Sequence, residues 1–517
     1  MESVVNTINN IIWSPALVFL CLAAGLFYSI LTRFAQVRHF REMVKLLFSP
    51  NESSKGISSF QALAVTLSGR VGVGNIAGVA AAIGFGGPGA VFWMWVVAFL
   101  GASTAYAEST LGQIYKVEEN GQYRGGPAYY FEKALGQKWL AIVFAISAII
   151  ACGIFLPGIQ ANAVGNAVTH VFGDGNLVTT DYGEVGSHKL IALAVILIVL
   201  GFIIFGGIKR IANFTQIVVP FMALAYIIMA LVIVFLNLNQ VPGIFAMIVS
   251  DAFTAQAGFG AAIGWGVKRG IYSNEAGQGT GPHASSAAEV DHPSQQGLVQ
   301  AFSVYVDTLF VCTATALMIL ITQQYNIVNE VTGGLILQNV PAATEVASPA
   351  FTQLALSSVF GNFGQGFVGV AIFFFAFTTI LAYYYIAETN VAYLNRYIKN
   401  RFSLFIVKMV IMFMVAYGMV NSSGYIWNLG DIGVGLMAWI NILGILAIFF
   451  VAKPAIMCLR DYEAQKKAGG PIIFDPIKLG ITKADFWEKR LAKQRAEGTV
   501  PPAEEADATV PPPNKAE

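Results

Sequence analysis

Long apolar segments constrain this chain more than any other feature of its sequence. A helix needs about 20 mostly apolar residues to cross the hydrocarbon core of a bilayer. The sequence contains eleven such runs separated by polar connections, which predicts an all-α integral membrane protein with about 11 transmembrane helices. The runs cover residues 14–32, 60–84, 89–114, 138–160, 189–208, 214–237, 252–272, 297–322, 352–387, 404–421 and 430–453. The ninth run is long, so we expect it to begin as a separate re-entrant or surface piece.

The charge content supports this class of protein and argues against others. Only 11% of the residues are charged, whereas soluble domains carry about 25%. The balance of 30 Lys plus Arg against 29 Asp plus Glu argues against a nucleic-acid partner. The segment Met1–Asn10 holds no Lys or Arg. It therefore lacks the basic flank of a cleaved signal peptide, and we expect the first run to be retained as a span.

Basic residues alternate along the connections and predict the orientation, because cytoplasmic loops concentrate Lys and Arg. They follow the first, third, fifth, seventh, ninth and eleventh runs, while the intervening connections hold only Lys189. The basic sets are Arg33, Arg38, Arg41, Lys45 and Lys55; Lys116, Arg124, Lys133 and Lys138; Lys209 and Arg210; Lys268 and Arg269; Arg396, Lys399 and Arg401; and the tail from Lys453. We therefore expect a multi-pass protein of the plasma membrane with its amino terminus outside and its carboxyl terminus in the cytoplasm.

The second run is interrupted by glycines and polar residues near mid-membrane. Residues 68–78 read SGRVGVGNIAG, which places Arg70 and Asn75 among the glycines. An Arg at the bilayer centre costs about 2.5 to 3.5 kcal/mol on insertion scales. Such a stretch is expected where a helix unwinds against protein or a water-filled cavity and exposes backbone groups to ions and substrate. The alternative is close helix packing through Gly74 and Gly78, which explains neither Arg70 nor Asn75.

A second glycine-rich interruption follows five runs later, at residues 258–281. Broken segments at corresponding places in two halves indicate an inverted-repeat transporter with its site at the repeat interface. The sequence leaves open which part of 258–281 is unwound, since both glycine clusters qualify. The predicted organisation is an extra amino-terminal helix and basic loop (1–55), a first inverted repeat (56–240), a second inverted repeat (241–456) and a cytoplasmic tail (457–517).

Adjacent hydroxyls in the ninth run form a candidate cation site. Thr378 and Thr379 lie on one helix turn, where they supply two oxygen ligands that carbonyls of an unwound neighbour would complete. Hard cations prefer oxygen, and sodium is the expected one. The alternative is a Thr hydroxyl bonding back to its own helix. The presence of a broken span favours the cation site.

Three carboxylates lie within the other runs. Glu108 and Glu388 fall near predicted inner ends, where we expect solvated or gate-forming roles. Asp307 lies deeper and would support the second interruption. In the tail, residues 483–495 would form either a basic amphipathic helix on the inner leaflet or part of a solvated, disordered tail.

Several motifs that would indicate other functions are absent from the sequence. There is no G-x-x-x-x-G-K-[ST] phosphate loop, no G-x-S-x-G nucleophile elbow and no C-x-x-C pair. All five histidines lie in connections or at the ends of runs, which leaves no intramembrane pair for haem. We therefore predict a secondary active transporter rather than an enzyme, with no cofactor and with sodium as the coupling ion.

Five motifs resemble, in the same order, those of the alanine/glycine:cation symporter family, the sodium:alanine symporters of bacteria and archaea. The longest is Gly86–Gly101, GGPGAVFWMWVVAFLG, which is rich in Trp and Met. The others are Gly72–Ala80, Gly125–Tyr130, Ser273–Gly277 and Asp291–Pro293. The likeness covers roughly 55–455. It implies the leucine-transporter fold, with runs two to eleven forming two inverted five-helix repeats.

The resemblance also implies binding residues. The sodium common to that fold would be held by the carbonyls of Ser68 and Val71 and the hydroxyls of Thr378 and Thr379, with Phe375 in the same site. The amides of Gly72, Val73 and Gly74 would face the substrate carboxylate. The remaining substrate contacts would be Arg70, Asn75, Gln160, Asn162 and Tyr383.

Three positions depart from the family pattern and bear on the substrate. Many members have Thr where this chain has Val73 and Trp where it has Tyr383, and Arg70 marks a subgroup. The expected function is sodium-coupled uptake of a small neutral amino acid, alanine or glycine, with glutamine as a further candidate. The alternatives are a proton-coupled or sodium-independent carrier or exchanger in which Arg70 replaces a coupling ion, and an uncoupled channel or membrane enzyme. The expected partners are the amino acid, sodium and the bilayer, and we expect a monomer.

Overall fold

The structure, a computed structural model, describes residues 2–48, 55–180, 183–254, 259–330, 332–346, 348–421 and 423–500. Almost all of the regular structure in these residues is helical. The helices are α1 Glu2–Ile12, α2 Pro15–Leu31, α3 Ala35–Arg38, α4 Phe40–Leu47, α5 Ser59–Arg70, α6 Ala77–Gly86, α7 Gly89–Ile114, α8 Pro127–Ala134, α9 Lys138–Ile150, α10 Leu156–Phe172, α11 Ser187–Ile204, α12 Gly207–Leu236, α13 Val241–Thr254, α14 Phe259–Asn274, α15 Gly281–Ala287, α16 Pro293–Val304, α17 Thr313–Thr322, α18 Ala350–Phe360, α19 Asn362–Ile398, α20 Ser403–Val420, α21 Ser423–Ala452, α22 Pro454–Ala468 and α23 Asp485–Ala496.

Short strands form three antiparallel hairpins in the connections. The strands are β1 Val117–Glu119, β2 Gln122–Arg124, β3 Leu177–Thr180, β4 Gly183–Gly186, β5 Asn326–Val328 and β6 Leu335–Gln338. In the first hairpin Val117 pairs with Arg124. Its turn residues Asn120 and Gly121 both have positive φ, as the tight Asn-Gly hairpin turn requires.

The described residues contain nine helices that are long and apolar enough to cross a membrane, or ten when the bent pair α5 and α6 is counted as one span. The segments α9–α10 and α16–α17 are each continuous through a π-helical turn, at Ala151–Phe155 and Tyr305–Cys312. The seventh predicted run corresponds to α14, a helix of 16 residues followed by a break and the short α15. Residues 255–258 of that predicted run lie outside the described residues, and α14 is not one of the nine or ten long apolar helices.

Burial separates the central helices from those on the periphery. About two thirds or more of the apolar window is buried in α7 (67%), α16–α17 (72%) and α19 (67%). The corresponding fractions are 22% for α11, 33% for α12 and 28% for α20. The first group therefore surrounds the centre of the bundle, while the second presents most of its surface outward, as lipid-facing helices do.

The structure corrects one step in the orientation argument. Lys268 and Arg269, read in the sequence as part of a cytoplasmic loop, lie inside helix α14, and both pair with Asp431 of α21. An apolar window cannot reveal this pairing, because the partner is 162 residues away along the chain. These two residues therefore do not count toward the loop charge bias. The ninth run begins, as predicted, with a separate helix, α18, which ends at Phe360, and Gly361 separates it from α19.

The segment predicted to form a basic helix in the tail is helical, but it packs against the protein. In α23, Trp487 and Leu491 are buried, and the Trp487 indole donates to the carbonyl of Gln113 at 2.8 Å. Arg490 binds the Glu289 carboxylate and the Val290 carbonyl at 2.6 and 2.9 Å. The apolar side of α23 is thus covered by protein, which leaves neither the free helix on a leaflet nor the disordered tail expected for these residues. Residues 501–517 lie outside the described part.

Lys116 lies at the centre of this docking surface. Its Nζ donates to the Ala288 carbonyl at 3.0 Å and sits 4.5 Å from the ring centres of Tyr123 and Phe486. Burial lowers the pKa of Lys116 from 10.5 to about 7, against the opposing effect of Glu289. The amine is therefore poised to titrate near neutral pH.

We expect Trp487→Ala to release α23. Truncating a buried Trp costs about 3–5 kcal/mol of packing, and the indole hydrogen bond is lost as well. Proteolytic cleavage in 469–484 should become faster in the variant. Lys489→Ala, at an exposed position on the same helix, is the matched control and should leave the rate unchanged. Equal cleavage of Trp487→Ala and wild type would contradict the assignment.

Docking of α23 should strengthen as pH rises from about 7 to 10.5. The docked state holds Lys116 with a lowered pKa, so the undocked state binds more protons between pH 7 and 10.5. Raising the pH removes protons from the undocked state and therefore shifts the equilibrium toward the docked state. Lys116→Met should flatten the pH dependence. The measurement is the anisotropy of a fluorophore attached to Lys489→Cys, since the four native cysteines are buried. A pH profile that survives Lys116→Met would assign the titration to another group.

Candidate functional site

The first helix break separates α5 from α6 with a bend of 59°. Helix α5 ends at Arg70, a 3-10 turn covers Val73–Asn75, and α6 starts at Ala77. The residues of the break are buried in the protein. Glycine is required at Gly72, because a Cβ there would overlap the Thr379 hydroxyl of α19.

The break removes helical hydrogen bonds from specific carbonyls. In an unbroken helix each amide donates to the carbonyl four residues earlier. The Gly72 amide instead donates to Asn75 Oδ1 at 2.8 Å, and the Asn75 amide donates to the Gly72 carbonyl at 3.2 Å. The carbonyls of Ser68 and Val71 therefore lose their helical donors. Both are available as oxygen ligands at the break.

Two hydroxyls of α19 complete this side of the break. The Thr379 hydroxyl lies against Gly72 and donates to the Phe375 carbonyl at 2.8 Å. Thr378 donates to the Phe374 carbonyl at 2.9 Å and contacts the sulfur of Met222 on α12. Each hydroxyl proton is thus directed along its own helix. The oxygen lone pairs remain free to bind a cation in addition.

Side-chain amides satisfy the amides that the break exposes. Asn75 accepts from Gly72 and donates to Asp307 Oδ1 at 2.6 Å, so it joins the break to the π-helical turn between α16 and α17. Gln160 of α10 accepts from the Val73 amide at 3.2 Å. Unpaired backbone amides are costly in a membrane. Both side chains therefore stabilise the unwound conformation.

The second break lies between α14 and α15. Of the two glycine clusters in 258–281, the unwound one is therefore the second. Residues 259–266 are helical, whereas the chain leaves the helix at Glu275 and resumes at Gly281. Glu275, Gly277 and Gly279 all have positive φ, which glycine adopts readily and glutamate rarely does. The Glu275 carboxylate lies against Gly69, in the last turn of α5.

Glu108 of α7 holds the second break in place. Its Oε1 accepts from the Gly277 amide at 3.3 Å, and its Oε2 accepts from the Gly279 amide at 3.1 Å and from Asn441 Nδ2 at 2.7 Å. Glu108 is fully buried. The expectation of a solvated role is therefore wrong for this residue, while the gate-forming role stays a prediction. Glu388 is also buried and pairs with Arg124 at 3.0 Å.

Arg70 lies between the two breaks. Its Nη1 donates to the Gln300 carbonyl at 3.0 Å and to the Ser303 hydroxyl. The guanidinium is fully buried and faces Glu108, Glu275 and Asp307. Its Nε and Nη2 donate to no described residue. Arg70 therefore supplies the positive charge of a buried acidic cluster, which we define as Glu108, Glu275 and Asp307.

The two breaks face each other directly. A Cβ on Gly74 would lie 2.9 Å from a ring carbon of Tyr272, two residues before the end of α14. A Cβ on Gly69 would likewise lie 3.5 Å from Glu275 Oε1 and 3.4 Å from Glu275 Oε2. The two interrupted segments thus meet at the centre of the bundle. A ligand there would contact both at once.

An ion-pair cluster covers one side of this centre. Arg269 of α14 forms a bidentate pair with Asp431 of α21, with Nη–Oδ distances of 2.9 and 2.7 Å, and Lys268 adds a contact at 2.7 Å. The Arg269 guanidinium also lies 4.9 Å from the Trp427 ring centre and 5.5 Å from that of Tyr272. Separating α14 from α21 would expose or unpair these charges. This cluster is therefore a candidate gate.

The other residues predicted for the site occupy different surroundings. Asn162 donates to the carbonyls of Gly418 and Asn421, which ties α10 to the end of α20 rather than to the break. Tyr383 is buried and faces Glu275. The Phe375 ring packs 5.4 Å from that of Tyr226 while its carbonyl receives the threonine hydroxyls. The structure thus groups Tyr383 and Phe375 with the breaks and separates Asn162 from them.

Sequence reasoning missed five residues of this centre: Tyr272, Glu275, Arg269, Trp427 and Asp431. Only Glu275 carried a local signal, because it stands in the Ser273–Gly277 motif next to the second glycine cluster. The other four acquire their roles from partners on distant helices. A single sequence does not pair them.

The backbone resembles a solved transporter structure. It is similar to the crystal structure of MhsT in complex with L-phenylalanine, with a TM-score of 0.56 and 14% identity over 79% of this chain and 97% of that one. MhsT has the leucine-transporter fold, and this chain shares it, as the sequence resemblance implied. The fold and the apolar helices define a multi-pass helical membrane protein with two facing helix breaks.

The family follows from sequence comparison. The model of the sodium:alanine symporter family matches residues 1–475, and the chain belongs to this family. YrbD of Bacillus subtilis (strain 168) is 52% identical over 493 residues, which cover 95% of this chain and 98% of YrbD. The sodium/proton-dependent alanine carrier protein of Bacillus sp. (strain PS3) is 47% identical over 450 residues, covering 86% of this chain and 97% of that protein. The predicted family is confirmed.

Asp431→Asn should destabilise the protein more than a double variant that also removes Arg269. Removing one partner of a buried ion pair typically costs about 3–5 kcal/mol, because the remaining charge stays buried. Asp431→Asn leaves both Arg269 and Lys268 unpaired, whereas Arg269→Gln with Asp431→Asn leaves only Lys268. Thermal unfolding in detergent should therefore give the lowest midpoint for the single variant. The reverse order would show that Asp431 does not neutralise Arg269.

Proposed function

We propose that this protein is a sodium-coupled symporter that carries a small neutral amino acid, alanine or glycine, into the cell. It would lie in the plasma membrane with its amino terminus outside and its carboxyl terminus in the cytoplasm. Family membership and the name of the alanine carrier of strain PS3 support the substrate class. The observation that carries the proposal is the meeting of two helix breaks with unpaired backbone oxygens at the centre of the bundle.

Sodium would bind between the first break and α19. The carbonyls of Ser68 and Val71 lack helical donors, and the Thr379 hydroxyl lies against Gly72, the residue that follows Val71. Thr378 would add a second hydroxyl. The Phe375 carbonyl would hold both threonine side chains in place, because it accepts a hydrogen bond from each hydroxyl. A set of neutral oxygens suits a hard monovalent cation. Sodium bound there would join α5 to α19 and stabilise the unwound conformation.

The amino acid would bind beside the sodium, with its carboxylate at the amides of Gly72, Val73 and Gly74. The Val73 amide already points at an acceptor, Gln160 Oε1, at 3.2 Å. A substrate carboxylate is a stronger acceptor than this amide oxygen because it is charged. We infer that the substrate displaces Gln160, which then becomes free to bind another group of the ligand. Tyr272 against Gly74 limits the room for a side chain, which favours alanine and glycine.

Transport would proceed by movement of the two repeats, residues 56–240 and 241–456, around this centre. The Arg269–Asp431 pair joins α14 to α21 and closes one side in the described conformation. Binding of sodium and substrate can shift the equilibrium between two conformations only through differential affinity. A ligand that contacts both breaks binds with different affinity to two conformations in which the breaks are placed differently. Each positive charge that crosses 100 mV contributes about 2.3 kcal/mol to uphill transport.

The alternative in which Arg70 replaces the coupling ion is less well supported. The hydrogen bonds of Arg70 go to Gln300 and Ser303, and its charge faces the acidic cluster. None of its described hydrogen bonds reaches Thr378 or Thr379. An arginine that replaced sodium would be expected at the threonine pair.

Thr379→Ala should raise the sodium concentration for half-maximal uptake. Loss of one ligand worth about 1.4 kcal/mol corresponds to a tenfold weaker affinity. The measurement is uptake of labelled alanine into proteoliposomes at graded sodium concentrations. Thr389→Ala is the matched control, because its hydroxyl is also buried on α19 and also donates to its own helix, at 2.9 Å to Tyr385. This control should leave the sodium dependence unchanged.

Two results would contradict the proposal. Alanine, glycine and glutamine uptake that is equal with and without a sodium gradient would remove the coupling. An unchanged sodium dependence in a variant that combines Thr378→Ala with Thr379→Ala would move the ion site elsewhere. A competition assay with a panel of amino acids then identifies the preferred side chain.

A further inference from the structure

The centre of the bundle holds more negative than positive charge. Glu108, Glu275 and Asp307 are all buried, and the positive charge that faces each of them among the described residues is Arg70. With every group ionised, the cluster would carry two negative charges in excess. Buried charges that lack partners are costly, and proteins neutralise them with a bound cation or a proton.

Two of the three carboxyl groups each accept three hydrogen bonds. Glu108 accepts three N–H donors, from Gly277, Gly279 and Asn441. Asp307 also accepts three donors, from Asn75, Ser273 and Thr308, at 2.6, 3.0 and 2.7 Å. Donors of this kind stabilise the ionised form of a carboxyl group. The ionised forms of these two residues therefore have more hydrogen-bond donors than that of Glu275.

Glu275 differs from the other two. Its Oε2 accepts a single hydrogen bond, from Thr280 at 2.8 Å, and its Oε1 accepts none from any described residue. A cavity of about 10 Å³ beside it is lined by Gly69 and Thr280 and by residues of α5, α15 and α19. One water molecule needs a space of about 10–15 Å³ by this kind of measure. Glu275 therefore borders a space of about the size of one water.

From this arrangement we propose that Glu275 is a proton-binding site of the transporter and that a proton accompanies the amino acid and sodium. A water in the cavity would deliver the proton as hydronium, leaving a neutral carboxyl at Oε1 and a neutral water. The inference rests on the proposed symport function and deepens it. It assigns to one residue a property that the name of the strain PS3 carrier gives to that protein as a whole.

The surroundings favour a proton over a second sodium at Glu275. Sodium would need several more oxygen ligands, and it would be repelled by the guanidinium of Arg70. A proton needs only the carboxyl group itself. One proton at Glu275 and one sodium at the first break would balance the two excess negative charges, so the fully loaded cluster would be neutral. This neutrality would lower the cost of moving the breaks through the low-dielectric centre.

The groups around Glu275 come from every element packed against it. They are Arg70 at the end of α5, Tyr272 on α14, Asp307 in the π-helical turn before α17, Tyr383 on α19 and Cys152 in the turn before α10. Arg70 opposes protonation of Glu275, and Asp307 favours it. The balance changes when α15 moves relative to α5, since Glu275 and Gly69 lie on different sides of that contact. Repeat movement would therefore bind and release the proton.

The test uses the full-length protein in liposomes that contain a pH-sensitive dye, with the membrane voltage clamped by potassium and valinomycin. Alanine is added outside in the presence of an inward sodium gradient. Wild type should acidify the interior as alanine enters. Glu275→Gln removes the titrating carboxyl group and should abolish the acidification. Glu275→Asp keeps the carboxyl group and should acidify with a shifted pH midpoint. Glu463→Gln, at an ion pair on α22, is the control and should behave as wild type.

The outcomes separate this inference from the proposed function. Absence of any sodium-driven alanine uptake in wild type would contradict the symport function itself. Uptake without acidification in wild type would overturn only the proton site, and this result does not depend on the folding of a variant. Acidification by Glu275→Gln at the wild-type rate, or an unchanged pH midpoint in Glu275→Asp, would assign the proton to another group.

Discussion

The structure depends on how the protein satisfies backbone groups where two of its membrane helices are broken. In a bilayer an unpaired amide or carbonyl costs several kcal/mol. At the first break the side chains of Asn75 and Gln160 accept hydrogen bonds from the backbone amides of Gly72 and Val73. At the second break the Glu108 carboxylate accepts hydrogen bonds from the backbone amides of Gly277 and Gly279. The carbonyls of Ser68 and Val71 lose their helical donors without such replacements, so the first break, which requires internal support, also supplies the oxygens of the proposed ion site.

The choice of acceptor at the second break has an electrostatic consequence. Asn75 and Gln160 are neutral, whereas Glu108 brings a negative charge. Asp307, which accepts a hydrogen bond from the Asn75 side chain, brings another. Arg70 offsets only part of this charge. The centre of the bundle therefore attracts cations as a result of how its backbone is supported. Cation binding and the unwound conformation stabilise each other, which is the physical basis of coupling in the proposed mechanism.

The sequence predicts the positions of the breaks well, because glycines and a mid-membrane arginine are costly anywhere else. The sequence does not predict that Glu108 supports the second break, because Glu108 and Gly277 are 169 positions apart. The same limitation led to Lys268 and Arg269 being assigned to a loop, because Asp431, which neutralises them, lies on another helix. For α23, helicity was predictable from its residues. Its docking was not, because Trp487 and Leu491 bury against segments that a hydropathy pattern does not bring together.

One helix connects the ion-binding centre to the candidate gate. Arg269 and Tyr272 both lie on α14, and that helix ends at Asn274, directly before Glu275. Tyr272 packs on Gly74 of the first break, and Arg269 holds Asp431 of α21. A ligand that moves Gly74 or Glu275 must therefore move the end of α14, and with it the geometry of the Arg269 pair. A bidentate pair tolerates little displacement before it breaks. Occupancy at the centre and closure of the gate are consequently linked through rigid contacts of a single helix.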